Sequence, residues 1–376
     1  MKQMIYADNA ATTKLDPKAF EAMKPYLLEE YGNASQPYSF AREPKKALAE
    51  ARSIIASCIG AASEEIYFTS GGTEADNWAI KGSAFCNTEA WTTVTSSIEH
   101  HAILKACAAI EKQGYPIAYL SPDETGVISP ETLSNVITDR TKLVSIMVAN
   151  NEIGTIEPIA ELAAIAHAHG AIFHTDAVQA VGHIVVDVKA MDVDLMSASA
   201  HKFNGPKGIG FLYVKKGTEI LPLLDGGAQE FGRRAGTENI AAIVGMAAAL
   251  QENCNALESN RQRILSMEKT FLCRLGTRGI DFKRNGGANT LPGILSLSFE
   301  GLDGEVLLHR LDLMGIVIST GAACDSVKTE ISHVLRAIKL DEKLAKGTVR
   351  ISIGKNNTED EVLAIADAIA RVAKID

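Results

Sequence analysis

Three short stretches hold residue types that do chemistry together. SASAHKFNGPKG places Ser199, His201 and Lys202 behind one apolar run, and HTDAVQA places Asp176 and Gln179 behind another. A carboxylate directly after a buried strand must be paired, hydrogen-bonded or protonated, so Asp176 asks for a partner that a cationic ring nitrogen would supply. In TSGGTEADN a Gly-rich turn at Gly72 and Thr73 leads into a helical pattern. That geometry leaves backbone N–H groups and the Thr73 hydroxyl for a ligand, and it suits a phosphate. Each stretch also has a plainer use: the glycines as a tight turn with an N-cap, the His-Lys pair as a solvated polar corner. Their order along one series of strands joins them. A lysine for covalent attachment, a carboxylate to keep a pyridine nitrogen protonated and a turn to anchor a phosphate are what pyridoxal 5'-phosphate requires.

Thiols are the other reactive groups. The six cysteines show no CxxC pair and no zinc-like spacing, so neither a disulfide framework nor a metal site is indicated. Cys58 and Cys107 lie in helix-like stretches beside Ile54, Ile55 and Ile110 and read as inert core thiols. Cys324 differs, because ISTGAACDSVK is small and polar, a loop composition in which a thiol is exposed.

Positioning these groups falls to a series of short apolar runs that alternate with helical patterns from about Ser53 to Val214: EIYFTS, TTVTSSI, IAYLS, KLVSIMVAN, AIFHTDA, DLMSAS and GFLYV. Runs apolar along their whole length predict an α/β fold, a mostly parallel seven-stranded sheet between helix layers, with ligands at the C-terminal ends of its strands. After the polar GGAQEFGRRAGTEN, one long helical pattern from about Ile240 to Leu275 reads as a bridge between two lobes. The rest reads as a smaller α+β domain whose last helix opens at Thr358 with a capping box. The expected division is residues 1–15 packing near the small domain, 16–260 as the large cofactor-binding domain and 261–376 as the small domain carrying the Cys324 loop.

Bulk properties bound the answer without naming it. At 376 residues, 46% hydrophobic and 22% charged, the chain is ordinary for a globular protein of two cores. A net charge of -9 without a dense Lys/Arg run argues against direct nucleic-acid binding. No apolar run reaches the roughly 20 residues of a membrane span, and no signal peptide opens the sequence, so the expected location is the cytoplasm.

The motifs YADNAATT, TSGGTEADN, EHHAIL, NNEIG, HTDAVQ, SAHKFNGPKG, QEFGRRAGTEN, STGAAC and VRISIG occur in this order nearly end to end. In this the chain resembles the cysteine desulfurases of the nitrogen-fixation and iron-sulfur-cluster type, class V aminotransferase-like enzymes of pyridoxal-phosphate fold type I. The resemblance implies that Lys202 anchors the cofactor, Asp176 pairs with its ring nitrogen, and Gln179 and Asn151 touch its ring substituents. His100 would stack on the ring and move protons, whereas the neighbouring His101 falls where the family has no catalytic residue. Gly72, Thr73, Ser199 and His201 would hold the phosphate, joined by Thr237 from the partner subunit of a homodimer. Arg350 would grip the substrate carboxylate, for which a guanidinium fork is suited, although a lone arginine is more often a surface charge.

The implied reaction takes L-cysteine to L-alanine and leaves its sulfur as a persulfide on Cys324. The 26-residue step from Cys324 to Arg350 resembles the group with a long cysteine loop, which implies delivery to a sulfur-acceptor protein in iron-sulfur cluster or thiolation pathways. Two positions depart from the family pattern: Tyr38 stands where a histidine is usual, and Phe231 where an arginine is. Rival readings are a class V aminotransferase or selenocysteine lyase of the same fold, and a non-catalytic partner protein.

Overall fold

The computed structural model describes residues 4–86, 89–321 and 331–374. Cys324 lies outside the described residues. A two-residue strand, β1 (Ile5–Tyr6), opens the chain, and all seven apolar runs of the large domain then form strands: β2 (Ile66–Thr69), β3 (Thr92–Ser96), β4 (Ile117–Leu120), β5 (Thr141–Ser145), β6 (Ile172–Asp176), β7 (Leu195–Ser199) and β8 (Gly210–Val214). They make one sheet in the order β2-β8-β7-β6-β5-β3-β4. Only β8 runs against its neighbours. The ten residues between β7 and β8 hold no crossover helix, and without one a strand can only return antiparallel.

Successive residues of each strand face opposite layers, and both faces are largely buried except along the edge strand β4, where Tyr119 is exposed. Phe68, Val144, Met196 and Phe211 point into a core closed by the helices Arg42–Cys58, Ile159–Ala168 and Ile240–Asn255. Their neighbours Tyr67, Leu143, Leu195 and Leu212 point into cores closed by Gly72–Phe85 and His101–Glu111.

The expected single helix from Ile240 to Leu275 is instead two, Ile240–Asn255 and Leu257–Thr277, bent by 70° at Ala256. Asn253 accounts for the break. Its amide is spent on the carbonyls of Ala249 and Phe203, tying the helix end to the loop after β7, and the surrounding Asn and Ser residues favour leaving a helix. No single helix among the described residues is long and apolar enough to cross a membrane.

The smaller unit is a three-stranded antiparallel sheet of β9 (Lys283–Asn285), β10 (Ile294–Ser298) and β12 (Thr348–Ser352), while β11 (Ile316–Val317) pairs in parallel with β1. Its core joins Ile264, Phe271, Leu295, Val349 and Ile365 with Ala7 of the N-terminal segment. Thr358 caps the Glu359–Ala373 helix, and the Glu361 carboxylate accepts the Thr358 N–H in return. Thus the N-terminal segment runs from the small sheet to the C-terminal ends of the large sheet's strands, where His201 O accepts the Thr13 N–H at 2.9 Å.

Candidate active site

Five strand ends meet the N-terminal segment around a cavity of about 530 Å³. At one end, β2 turns through Gly71 into the Gly72–Phe85 helix. Gly71 adopts φ 150° and ψ -177°, a region essentially restricted to glycine, and a Cβ on Gly72 would come within 2.7 Å of Val178 Cγ2. No side chain caps this helix, so its first-turn N–H groups are available to an anion, and the dipole favours one. Thr73, Ser199 and His201 line the same end. His201 Nδ1 lies 3.1 Å from Thr12 Oγ1; burial, then the Lys202 charge, push its pKa down to about 4 and leave it neutral.

At the other end stands Asp176, the last residue of β6 and buried. One of its oxygens accepts the Val178 N–H at 2.8 Å. Burial raises its pKa to about 6, against the pull of that hydrogen bond and of Lys202. Lys202 follows β7 and donates from Nζ to the carbonyls of Ala10 at 2.5 Å and Ala11 at 2.9 Å. Gln179 Nε2 donates to the same Ala10 carbonyl at 2.9 Å. The backbone of YADNAATT therefore holds lysine and glutamine together.

His100 both caps the His101–Glu111 helix and lines the cavity. Its Nδ1 accepts the Ala102 N–H at 3.2 Å, and burial, then Lys202, hold its pKa down to about 4. The ring is therefore neutral and carries its hydrogen on Nε2. From the small sheet comes Arg350, 3% exposed, whose Nη1 donates to Asn151 O at 2.9 Å and whose Nη2 lies 2.7 Å from Asp8 Oδ1. Its Nε has no partner. A buried guanidinium that lines the cavity with one N–H unpaired is a donor lacking the acceptor that a carboxylate would supply.

Ten residues singled out in the sequence line this one cavity: Gly72, Thr73, His100, Asn151, Asp176, Gln179, Ser199, His201, Lys202 and Arg350. Thr237 does not join them in this chain and is exposed in the loop after Gly236. Sequence reasoning passed over Asp8, Thr12 and Asp76, although YADNAATT and TSGGTEADN contain all three. Phe231, at the position of an expected arginine, packs its ring 6.0 Å from Tyr67 and 5.0 Å from the Arg52 guanidinium. Arg52 in turn makes a two-pronged ion pair with Glu230 at 2.8 and 2.7 Å, inside the QEFGRR turn. Two thiols away from the cavity are held protonated: burial pushes Cys107 up to about 12, and Cys58 is raised by a hydrogen bond with Cys254 and by burial, while that same bond lowers Cys254.

Residues 5–365 match the family model Aminotransferase class-V. The chain is similar to Cysteine desulfurase IscS of Dictyoglomus turgidum, 47% identical over 374 residues that cover 99% of this chain and 95% of the relative. Among solved structures it is similar to a NifS-like protein at 34% identity, with a TM-score of 0.94 and 100% of both chains covered. It is also similar to SspA in complex with cysteine, at 36% identity and a TM-score of 0.85, covering 94% of this chain and 100% of that one. The chain belongs to the class-V aminotransferase family and, within it, to the cysteine desulfurases of the IscS and NifS type.

Proposed function

We propose that this cysteine desulfurase holds pyridoxal 5'-phosphate on Lys202, converts L-cysteine to L-alanine and keeps the sulfur as a persulfide on Cys324. The observation that supports it most is the meeting of an uncapped helix end, a buried Asp176 and Lys202 in one cavity, with the unpaired Nε of Arg350 beside them. Bound there, the cofactor supplies an electron sink for the substrate α-carbon. Gly72, Thr73, Ser199 and His201 would hold its phosphate, Asp176 would keep its ring nitrogen protonated, and Gln179 and Asn151 would orient its substituents.

Arg350 would bind the substrate carboxylate with its unpaired N–H, and Lys202 Nζ would move the α-proton. His100, neutral with a hydrogen on Nε2 and lining the cavity, would stack on the cofactor ring and pass protons. The Cys324 sulfur forms a bond to the substrate sulfur as the substrate C–S bond breaks. Alanine leaves, and the persulfide passes to an acceptor protein.

The homodimer reading is supported by an apolar face that this chain leaves uncovered. Tyr31 and Phe40, edge to face with ring centroids 5.1 Å apart, stand exposed with Leu27, Leu28 and Tyr38. In a homodimer, Thr237 of the partner subunit would complete the phosphate site. We place the enzyme in the cytoplasm, where free cysteine and reduced acceptors are at hand. The test is alanine release from L-cysteine by wild type and by Lys202→Ala, with native mass for the dimer. A colourless protein that releases no alanine contradicts the reading.

A further inference from the structure

Behind Asp176 lies a carboxyl group for which the reaction above has no use. Asp76, on the second turn of the Gly72–Phe85 helix, is 1% exposed, and its Oδ1 meets no hydrogen-bond partner. One of its oxygens, one of Asp176 and a ring nitrogen of His100 all lie within 4.8 Å of one another. The Ser197 hydroxyl hydrogen-bonds Asp76 and sits 3.0 Å from His174 Nε2, while His174 Nδ1 lies 2.9 Å from Ser145 Oγ. Burial holds His174 neutral, with its pKa down to about 3, so this buried chain offers no cation to a second carboxylate.

Two buried carboxyl groups this close resist ionising together, because burial leaves the second charge poorly screened from the first. The charge belongs on Asp176, which accepts a backbone N–H and faces Lys202. Asp76 faces Asp176 and Glu99 instead. Burial, then the Asp176 charge, push the Asp76 carboxyl well above the usual carboxylate range.

We propose that Asp76 is a positioning residue that stays a neutral acid, so that the carboxyl pair carries one negative charge and that charge sits on Asp176. The consequence reaches the bases of the site. A second anion here would draw protons onto His100 and Lys202, and the reaction needs His100 neutral and Lys202 able to give up its proton. This functional half rests on the assignment of Asp176 to the cofactor ring; the protonation of Asp76 does not. The groups bearing on Asp76 are Asp176 and His174 from β6, Glu99 and His100 from the turn before the His101–Glu111 helix, and Lys202 across Asp176.

The test compares wild type with Asp76→Asn, which has the shape of the neutral acid, and with Asp76→Ala. Denaturant unfolding of the cofactor-free proteins from pH 5 to 8 reads the proton directly. If Asp76 takes up a proton on folding, the folded-to-unfolded ratio of wild type falls relative to Asp76→Asn by tenfold per pH unit. A difference independent of pH means that Asp76 is ionised in the folded protein and overturns the proposal. Should Asp76→Asn not fold, the same comparison with Asp76→Ala decides. In the cofactor-loaded enzyme, the pH midpoint of the cofactor's visible absorbance stays in place in Asp76→Asn. A fall of one unit or more, a tenfold change in proton affinity, shows that a charge was removed and likewise overturns it. Wild-type protein that binds no cofactor would sink the Asp176 assignment while leaving the unfolding result to stand.

Discussion

Arg350 and Asp8 form a buried ion pair, Nη2 to Oδ1 at 2.7 Å, that ties the small sheet to the N-terminal segment at the mouth of the cavity. It holds one prong of the guanidinium still while the buried Nε stays unpaired. Lysine keeps the charge but not the planar fork. Arg350→Lys is therefore expected to raise KM for cysteine by about tenfold or more, roughly 1.4 kcal/mol, with a much smaller change in kcat. Steady-state kinetics check this; an unchanged KM would remove Arg350 from the substrate carboxylate.

The Gly71 turn is the second place where a small change reads out cleanly. Any Cβ there meets a backbone conformation of φ 150° that costs of order 1–3 kcal/mol to hold. Relaxing it rotates the helix end away from Ser199. Gly71→Ala is expected to weaken cofactor binding by roughly tenfold, seen by titrating cofactor-free protein and following visible absorbance, and to lower the melting temperature.

Acid should unfold the cofactor-free protein earlier than a surface histidine set would predict. The pKa of His100 is held at about 4 and that of His174 at about 3, both by burial first, against 6.5 in the unfolded chain. These depressed bases bind fewer protons folded than unfolded, so stability is present above about pH 6.5 and is lost as pH falls toward 4, by up to tenfold in the folding constant per unit for each. Asp176, raised to about 6, and Asp76, raised as well, work in the opposite sense over the same window and blunt the slope. His100→Gln should flatten the acid limb measured by denaturant melts between pH 7 and 4.5.

Glu152 touches both flanks of the segment that carries Cys324. Its Oε2 accepts the Ser332 hydroxyl at 2.6 Å, and a Cβ on Gly321 would stand 3.1 Å from the same oxygen. Ser332→Ala leaves that buried contact unmade, at a cost of about 1–3 kcal/mol. The expected result is slower persulfide formation on Cys324, by several-fold, with cofactor absorbance unchanged; single-turnover mass spectrometry measures it.

The sheet was legible in the sequence because nearly all of its strands are buried on both faces and carry that fact as short runs of apolar and small residues, GFLYV most clearly, while the edge strand β4 leaves Tyr119 exposed. Direction is not written in such a run, so the antiparallel course of β8 had to come from its short connection. The break at Ala256 hid because apolar spacing continues through it, while its cause, Asn253 bonding Phe203 O, is a contact across 50 residues. Lys202, Asp176 and the Gly71–Gly72 turn announced themselves by standing at strand ends. Asp8 did not, since its meaning comes from Arg350, 342 positions away. Asp76 was masked by its own motif: in TSGGTEADN it reads as one more polar residue of a helix start, and only the packing of that helix behind Asp176 makes it a buried acid.

The central claim is that the sulfur of cysteine moves onto Cys324 while Lys202 serves the cofactor. One turnover with isotopically labelled cysteine, alanine counted and labelled sulfur located by peptide mass spectrometry, tests it most directly. The expected result is one alanine per labelled persulfide on Cys324 in wild type, neither product in Lys202→Ala, and no labelled persulfide with loss of alanine in Cys324→Ala. Undiminished alanine from Cys324→Ala, or labelled sulfur on another cysteine, would contradict it.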